Sequence, residues 1–138
     1  MDLRQLTPDL SVSPQIRPSE VEELARAGFR TLINNRPDAE VGPDEDSTAM
    51  AEAARRAGMA YHHIPFNPGQ VTPDMVRDFA AATGGAGPAF AYCRSGNRSA
   101  VLWALTQAGE RPAREILRIA ADAGYDLSGI APMLDRKV

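Results

Sequence analysis

Three short apolar runs, Phe29–Asn34, Met59–Pro65 and Ala89–Tyr92, each follow a stretch of helical periodicity, and this alternation narrows the folds open to the chain. Before the first run, Ser19 suits a helix cap and Glu22 completes a capping box. Val21, Leu24 and Ala25 form the apolar face, and Gly28 ends it. Thr48–Ala57 is alanine-rich and closes on Gly58, while Thr72 followed by Pro73 opens a helix that runs to about Thr83. Ser99–Ala108 and the segments 113–122 and 128–135 are helical again. Residues 3–16 hold two short apolar stretches around Thr7-Pro8-Asp9, which reads as a hairpin or an edge strand. Strands separated by helices require right-handed crossovers, hence a mostly parallel sheet covered on both faces: an α/β, three-layer αβα arrangement. A length of 138 residues supports one such core and not two, so a single domain over 1–138 is expected.

Bulk properties remove several classes of function. The net charge of −3 lacks the basic footprint of a nucleic-acid binder. No apolar run approaches the length of a membrane span, and the first residues lack the layout of a signal peptide. With one cysteine no internal disulfide can form, which fits a reducing compartment, so a cytoplasmic location is expected. His62 and His63 are adjacent on a strand and point to opposite faces; with no further histidine and no second cysteine, neither a metal nor a cofactor is called for.

In parallel sheets ligands gather beyond the carboxyl ends of the strands. Three loops meet that condition here: 35–46, 66–72 and 93–98. The last is the informative one. Tyr92-Cys93-Arg94-Ser95-Gly96-Asn97-Arg98-Ser99 leaves a strand and enters a helix, so its backbone N–H groups can line a nest under the positive end of the helix dipole. Gly96 permits the backbone angles of such a turn, and Arg98 can offer a planar fork to an oxyanion. A cysteine at a helix N-terminus beside arginines generally ionises well below the free value of about 8.5. Cys93 is therefore the expected nucleophile and Arg98 its catalytic companion, with Arg94, Ser95, Gly96, Asn97 and Ser99 binding the substrate.

These residues resemble known families in two ways. Cys93–Ser99 looks like the active loop of single-domain rhodaneses, whose cysteine carries a persulfide. Gly28–Asn34, Arg36-Pro37-Asp38-Ala39-Glu40 and Tyr61-His62-His63-Ile64-Pro65 resemble the bacterial dual-specificity-phosphatase-like domain family. That domain is known from β-lactamase hydrolase-like proteins. The second resemblance extends to about residue 110 and implies the cysteine-phosphatase fold, with a central sheet of four or five strands. Members are often fused to, or encoded beside, metallo-β-lactamase-fold sulfur dioxygenases, which implies such a partner.

The two resemblances imply different chemistry. Cysteine phosphatases place five residues between cysteine and arginine, whereas four separate Cys93 from Arg98. One residue fewer removes about 3.5 Å of chain contour. Phosphatases of this type also protonate the leaving oxygen with an aspartate after the strand that corresponds to Tyr61–Pro65. Here that loop reads Phe66-Asn67-Pro68-Gly69-Gln70, with no acid. Asp74 lies nearby, but a first-turn carboxylate is already explained by the helix dipole. Arg36, Asp38 and Glu40 can form a charged wall or supply a substitute acid, or can belong to a solvated turn begun by Pro37. The expectation is a sulfurtransferase that moves sulfane sulfur from a small anionic donor to a thiol acceptor through a Cys93 persulfide, with Ser99 hydrogen-bonding the sulfur. A cysteine-dependent phosphatase is the alternative, and a non-catalytic anion-binding or docking module is a third reading.

Overall fold

The computed structural model describes residues 1–135; the last three residues of the expected domain and their share of its boundary lie outside the described residues. Five strands form one sheet: β1 (Arg4–Thr7), β2 (Leu10–Ser13), β3 (Thr31–Asn34), β4 (Ala60–His63) and β5 (Ala89–Tyr92). Their order is β1-β2-β5-β3-β4. Only the β1–β2 hairpin is antiparallel, turning at the Pro8-Asp9 pair as expected; β2, β5, β3 and β4 run parallel. The carboxyl ends of four strands therefore open on one edge, with β5 and its Cys93 in the middle.

Successive residues on a strand serve opposite faces, and the two cores divide accordingly. Leu32, Phe90 and Tyr92 pack with Val21, Leu24, Met50 and Ala54 beneath α1 (Pro18–Arg26) and α2 (Ser47–Ala57). Ile33, Ala89 and Ala91 pack on the other face with α3 (Pro73–Thr83), α4 (Asn97–Gln107) and α5 (Ala113–Asp122). A short α6 (Ala131–Leu134) closes that layer, preceded by a 3-10 turn at Ser128–Ile130 instead of the continuous helix expected over 128–135. From Ala100 to Leu105 α4 is apolar and buried on every side, Trp103 included, and this fixes the axis that begins at the Cys93 loop.

Local signals set most of the helix ends. Asp46 caps α2 by accepting from the Ala49 amide at 2.8 Å, and Thr72 caps α3 through Met75 at 3.2 Å. α1 begins earlier than Ser19 predicts. Pro18 occupies its first turn, and Glu20 reaches back to the Arg17 amide at 2.8 Å. Proline's fixed φ favours that start, and Glu22 is left to pair with Arg26 on the surface. No helix among the described residues is long and apolar enough to cross a membrane.

Truncating a side chain shared by strand and helix tests this layering. Leu32→Ala, at a position with no solvent exposure, is expected to cost about 2–5 kcal/mol in denaturant unfolding. Arg26→Ala, on the outer face of α1, is expected to stay within about 0.5 kcal/mol of wild type.

Candidate active site

The end of β5 presents Cys93 without any solvent-exposed surface, followed by the turn that starts α4. Gly96 is the cap residue, with φ +93°, and its N–H donates to the Cys93 sulfur at 3.1 Å. A side chain there would be strained by that φ, would run into the Tyr125 hydroxyl, and would lie 3.2 Å from the Ser13 carbonyl carbon. The Asn97 amide is taken by Ser95 Oγ at 3.2 Å. The N–H groups of Arg94, Ser95, Arg98 and Ser99 have no acceptor among the described residues. These are the donors expected of an anion nest at a helix start. Arg94, Ser95 and Asn97 lie exposed on its rim.

Arg98 is positioned with more constraint than its sequence context reveals. Glu40 grips it end-on, with Nη1 donating to Oε2 at 2.9 Å and Nη2 to Oε1 at 2.7 Å. Nη1 spends its second hydrogen on the Phe66 carbonyl at 2.7 Å. What remains is the other edge of the guanidinium, Nε–H and one Nη2 hydrogen, a second fork with the right geometry for an oxyanion. Hydrogen bonding from Arg98 holds the Glu40 carboxyl below its ordinary value, and Glu40 in turn raises Arg98. The Cys93 sulfur adds to that rise, so the guanidinium, the carboxylate and the sulfur form one electrostatic unit.

Of the accessory candidates, Arg36 joins this unit indirectly. Its Nε reaches Glu40 Oε1 at 3.3 Å, Nη2 the Glu40 carbonyl at 3.0 Å and Nη1 the Gln15 side chain at 3.0 Å. His63 Nε2 donates to the Arg36 carbonyl at 3.0 Å, pinning the same loop from β4. Asp38 is used differently from the expectation. Its two carboxylate oxygens accept from the amide and the hydroxyl of Ser47, both at 2.8 Å, so it helps to start α2. Asp74 is largely exposed and pairs with Arg77 one turn on, at 3.1 Å, as a first-turn surface carboxylate does. The Ser99 hydroxyl also departs from expectation: it donates to Asn35 Oδ1 at 2.9 Å and not to the sulfur.

Asn35 is the residue that sequence reasoning missed. Wholly buried, it donates from Nδ2 to the Ile64 carbonyl at 2.9 Å, and its backbone bonds both Tyr92 and Phe66. It thus ties the ends of β3, β4 and β5 to the first turn of α4. Its only signal in the sequence is an asparagine at the end of a buried strand. The roomiest cavity described, about 570 Å³ between α1 and α2, is lined by none of these residues, so size does not mark this site. No group of three metal-ligating side chains occurs among the described residues.

Comparison with known proteins places this geometry. Residues 2–110 match a family model described as the phosphatase-like domain of β-lactamase hydrolase-like proteins. A β-lactamase hydrolase-like protein of Xylella fastidiosa (strain 9a5c) is 32% identical over 131 residues, 93% of this chain and 30% of that protein. The chain thus spans about a third of the length of the curated relatives it matches. A crystal structure from Neisseria meningitidis Z2491, provisionally described as a phosphatase, is 33% identical, with a TM-score of 0.85; 98% of this chain and 97% of that one are covered. Tk-PTP in its active form has a TM-score of 0.73 at 15% identity, over 96% and 92% of the two chains, and attests to the fold alone. The αβα architecture expected from the sequence, here with five strands, is therefore the cysteine-phosphatase fold. On function, these relatives favour the phosphatase alternative over the expected sulfurtransferase.

Two variants test the construction of the site. Ser99→Ala leaves the Oδ1 of buried Asn35 without its donor and is expected to cost about 1–3 kcal/mol by denaturant unfolding, beyond any effect on turnover. Glu40 contributes through a lowered folded-state pKa. Its stabilisation is therefore complete above the ordinary value of 4.5 and lost as pH falls through the depressed one. The stability gap between wild type and Glu40→Gln is expected to be flat above about pH 5.5 and to close on further acidification. A gap that widened toward acid would contradict the assignment.

Proposed function

The chain belongs to the phosphatase-like domain family of β-lactamase hydrolase-like proteins, and from that premise we propose that Cys93 is a nucleophile for sulfane sulfur held in a small anionic donor. The observation that carries this reading is proton supply. Among the described residues, the one carboxylate that hydrogen-bonds a residue of the loop, Glu40, is held ionised by Arg98. Asp38 and Asp74 are engaged elsewhere, and the 66–70 segment contains no acid. Hydrolysis of a phosphate monoester benefits from protonation of its leaving oxygen, and a general acid typically contributes about 10²–10⁴ in rate. Sulfite and thiolates leave as stable anions and need no proton.

In the proposed cycle the Cys93 thiolate attacks the outer sulfur of thiosulfate or of a low-molecular-weight persulfide. A new S–S bond forms as the donor's own S–S bond breaks, and sulfite or a thiolate departs with the electron pair. The free N–H groups of the loop and the open edge of Arg98 receive the anion and then the terminal sulfur of the persulfide. An acceptor thiolate attacks that sulfur, carries it away as a new persulfide and restores Cys93. No oxidant enters. A sulfur dioxygenase that consumes the outgoing persulfide is the partner this chemistry suits. Phosphate-ester hydrolysis through a phosphocysteine is the second reading, favoured by the description of the Neisseria structure.

Intact-mass measurement after thiosulfate treatment is expected to show one added sulfur atom, removed by cyanide or a thiol and absent from Cys93→Ser. Turnover of thiosulfate is expected to exceed that of an aryl phosphate in side-by-side assays. Aryl phosphate hydrolysis without any sulfur adduct would instead establish the second reading.

A further inference from the structure

The matched family region ends at residue 110, yet the segment beyond it returns to the reactive loop through Tyr125. We propose that Tyr125 is a positioning residue for the Cys93 sulfur, acting across the Ser95–Gly96 peptide. Its hydroxyl donates to the Ser95 carbonyl at 3.2 Å. The N–H of that same peptide unit, Gly96 N–H, donates to the Cys93 sulfur at 3.1 Å. A trans peptide is rigid, with its C=O and N–H on opposite sides, so a hand on the oxygen aims the hydrogen. Were this plane to rotate, a carbonyl oxygen would face the sulfur and oppose its negative charge. The two bonds also polarise one another through the amide.

The tyrosine is itself held firmly. It is 6% exposed, and its hydroxyl fills the space that a side chain at Gly96 would need. That glycine thus serves the approach of the ring as well as its own φ. From the other side, Arg4 donates through Nη1 to the Ala123 carbonyl at 2.9 Å, with its guanidinium carbon 5.6 Å from the ring centroid. Asp2 holds Arg4 in turn, at 3.1 and 3.3 Å. Gly124, with φ +100°, has the Arg4 guanidinium where a side chain would point, so a substitution there would displace Arg4 as well as strain the backbone. Burial raises Tyr125 above its ordinary value, the nearby Cys93 sulfur adds to the rise and Arg4 opposes it; the phenol stays protonated at neutral pH. It therefore remains a donor where the sulfur has to react.

This role rests on the reading of Cys93 as a reactive thiolate, but not on which group that thiolate transfers. Its test is the pH profile of Cys93 alkylation by iodoacetamide in wild type and Tyr125→Phe, alongside thermal unfolding. The Phe variant is expected to move the alkylation midpoint upward by about half to one pH unit, with reaction at pH 6 slowed roughly 3- to 10-fold. A purely structural tyrosine would lower the melting temperature and leave the midpoint in place. Superimposable profiles over a wild type that reacts readily at pH 6 would overturn the role of Tyr125 alone. A wild type that alkylates like an ordinary thiol would instead overturn the nucleophile reading on which it stands. Should Tyr125→Phe fail to fold, Arg4→Gln loosens the ring from its exposed side. The same upward shift, smaller, is then expected, and an unmoved midpoint overturns the proposal.

Discussion

The hydrogen bond from the Gly96 amide to the Cys93 sulfur joins a side chain with no solvent exposure to the first turn of a buried helix, and much of the molecule serves to keep that junction in place. A polar or ionised group taken out of water is tolerable only where donors replace the water it lost. The loop supplies those donors from its backbone, which costs no side-chain entropy to order. Its orientation then depends on the axis of α4, and that axis depends on Trp103, Leu102 and Ala104 packing against the sheet. The core is in this sense part of the site. Asn35 and Ser99 complete the link by bonding the strand ends to the helix from within.

Electrostatically the site is balanced. Arg98 would confer a full positive charge on the loop, but Glu40 neutralises one edge of it and directs the other. With both hydrogens of Nη1 committed, the guanidinium is held in one orientation, and less ordering is left for a bound anion to bring about. Arg36 and His63 hold the Glu40 loop through its backbone, so a chain of hydrogen-bonded groups runs from β4 toward the sulfur.

The features legible in the sequence were those encoded locally. The β–α alternation, the Pro8-Asp9 hairpin, the Thr72 cap and the strand–loop–helix passage through Cys93 all declare themselves within a few residues. The features that escaped depend on chain segments far apart. Glu40 and Arg98 are separated by 58 positions and Asn35 and Ser99 by 64; nothing in either neighbourhood announces the partner. Asp38 illustrates the opposite error. It stands between Arg36 and Glu40 in sequence, yet Ser47 offers it an amide and a hydroxyl together, and that competition turns it toward α2. At α1 the misplaced start has a local cause, since Pro18 and Glu20 form a better first turn than Ser19 and Glu22 do.

The fold is shared with enzymes that cleave phosphate esters, and a fold does not dictate a reaction. What separates the two chemistries here is the fate of one proton. An ester oxygen leaves as a strong base and calls for an acid on the far side of the substrate. The carboxylate that is available in space, Glu40, is also the one whose ionised form Arg98 stabilises, so it can orient the arginine or donate a proton, but not both at once. With the arginine claiming it, the proposed sulfur transfer, whose leaving groups depart as anions unaided, makes the smaller demand on this site. Sulfite and thiolates belong to that class, and alkoxides do not.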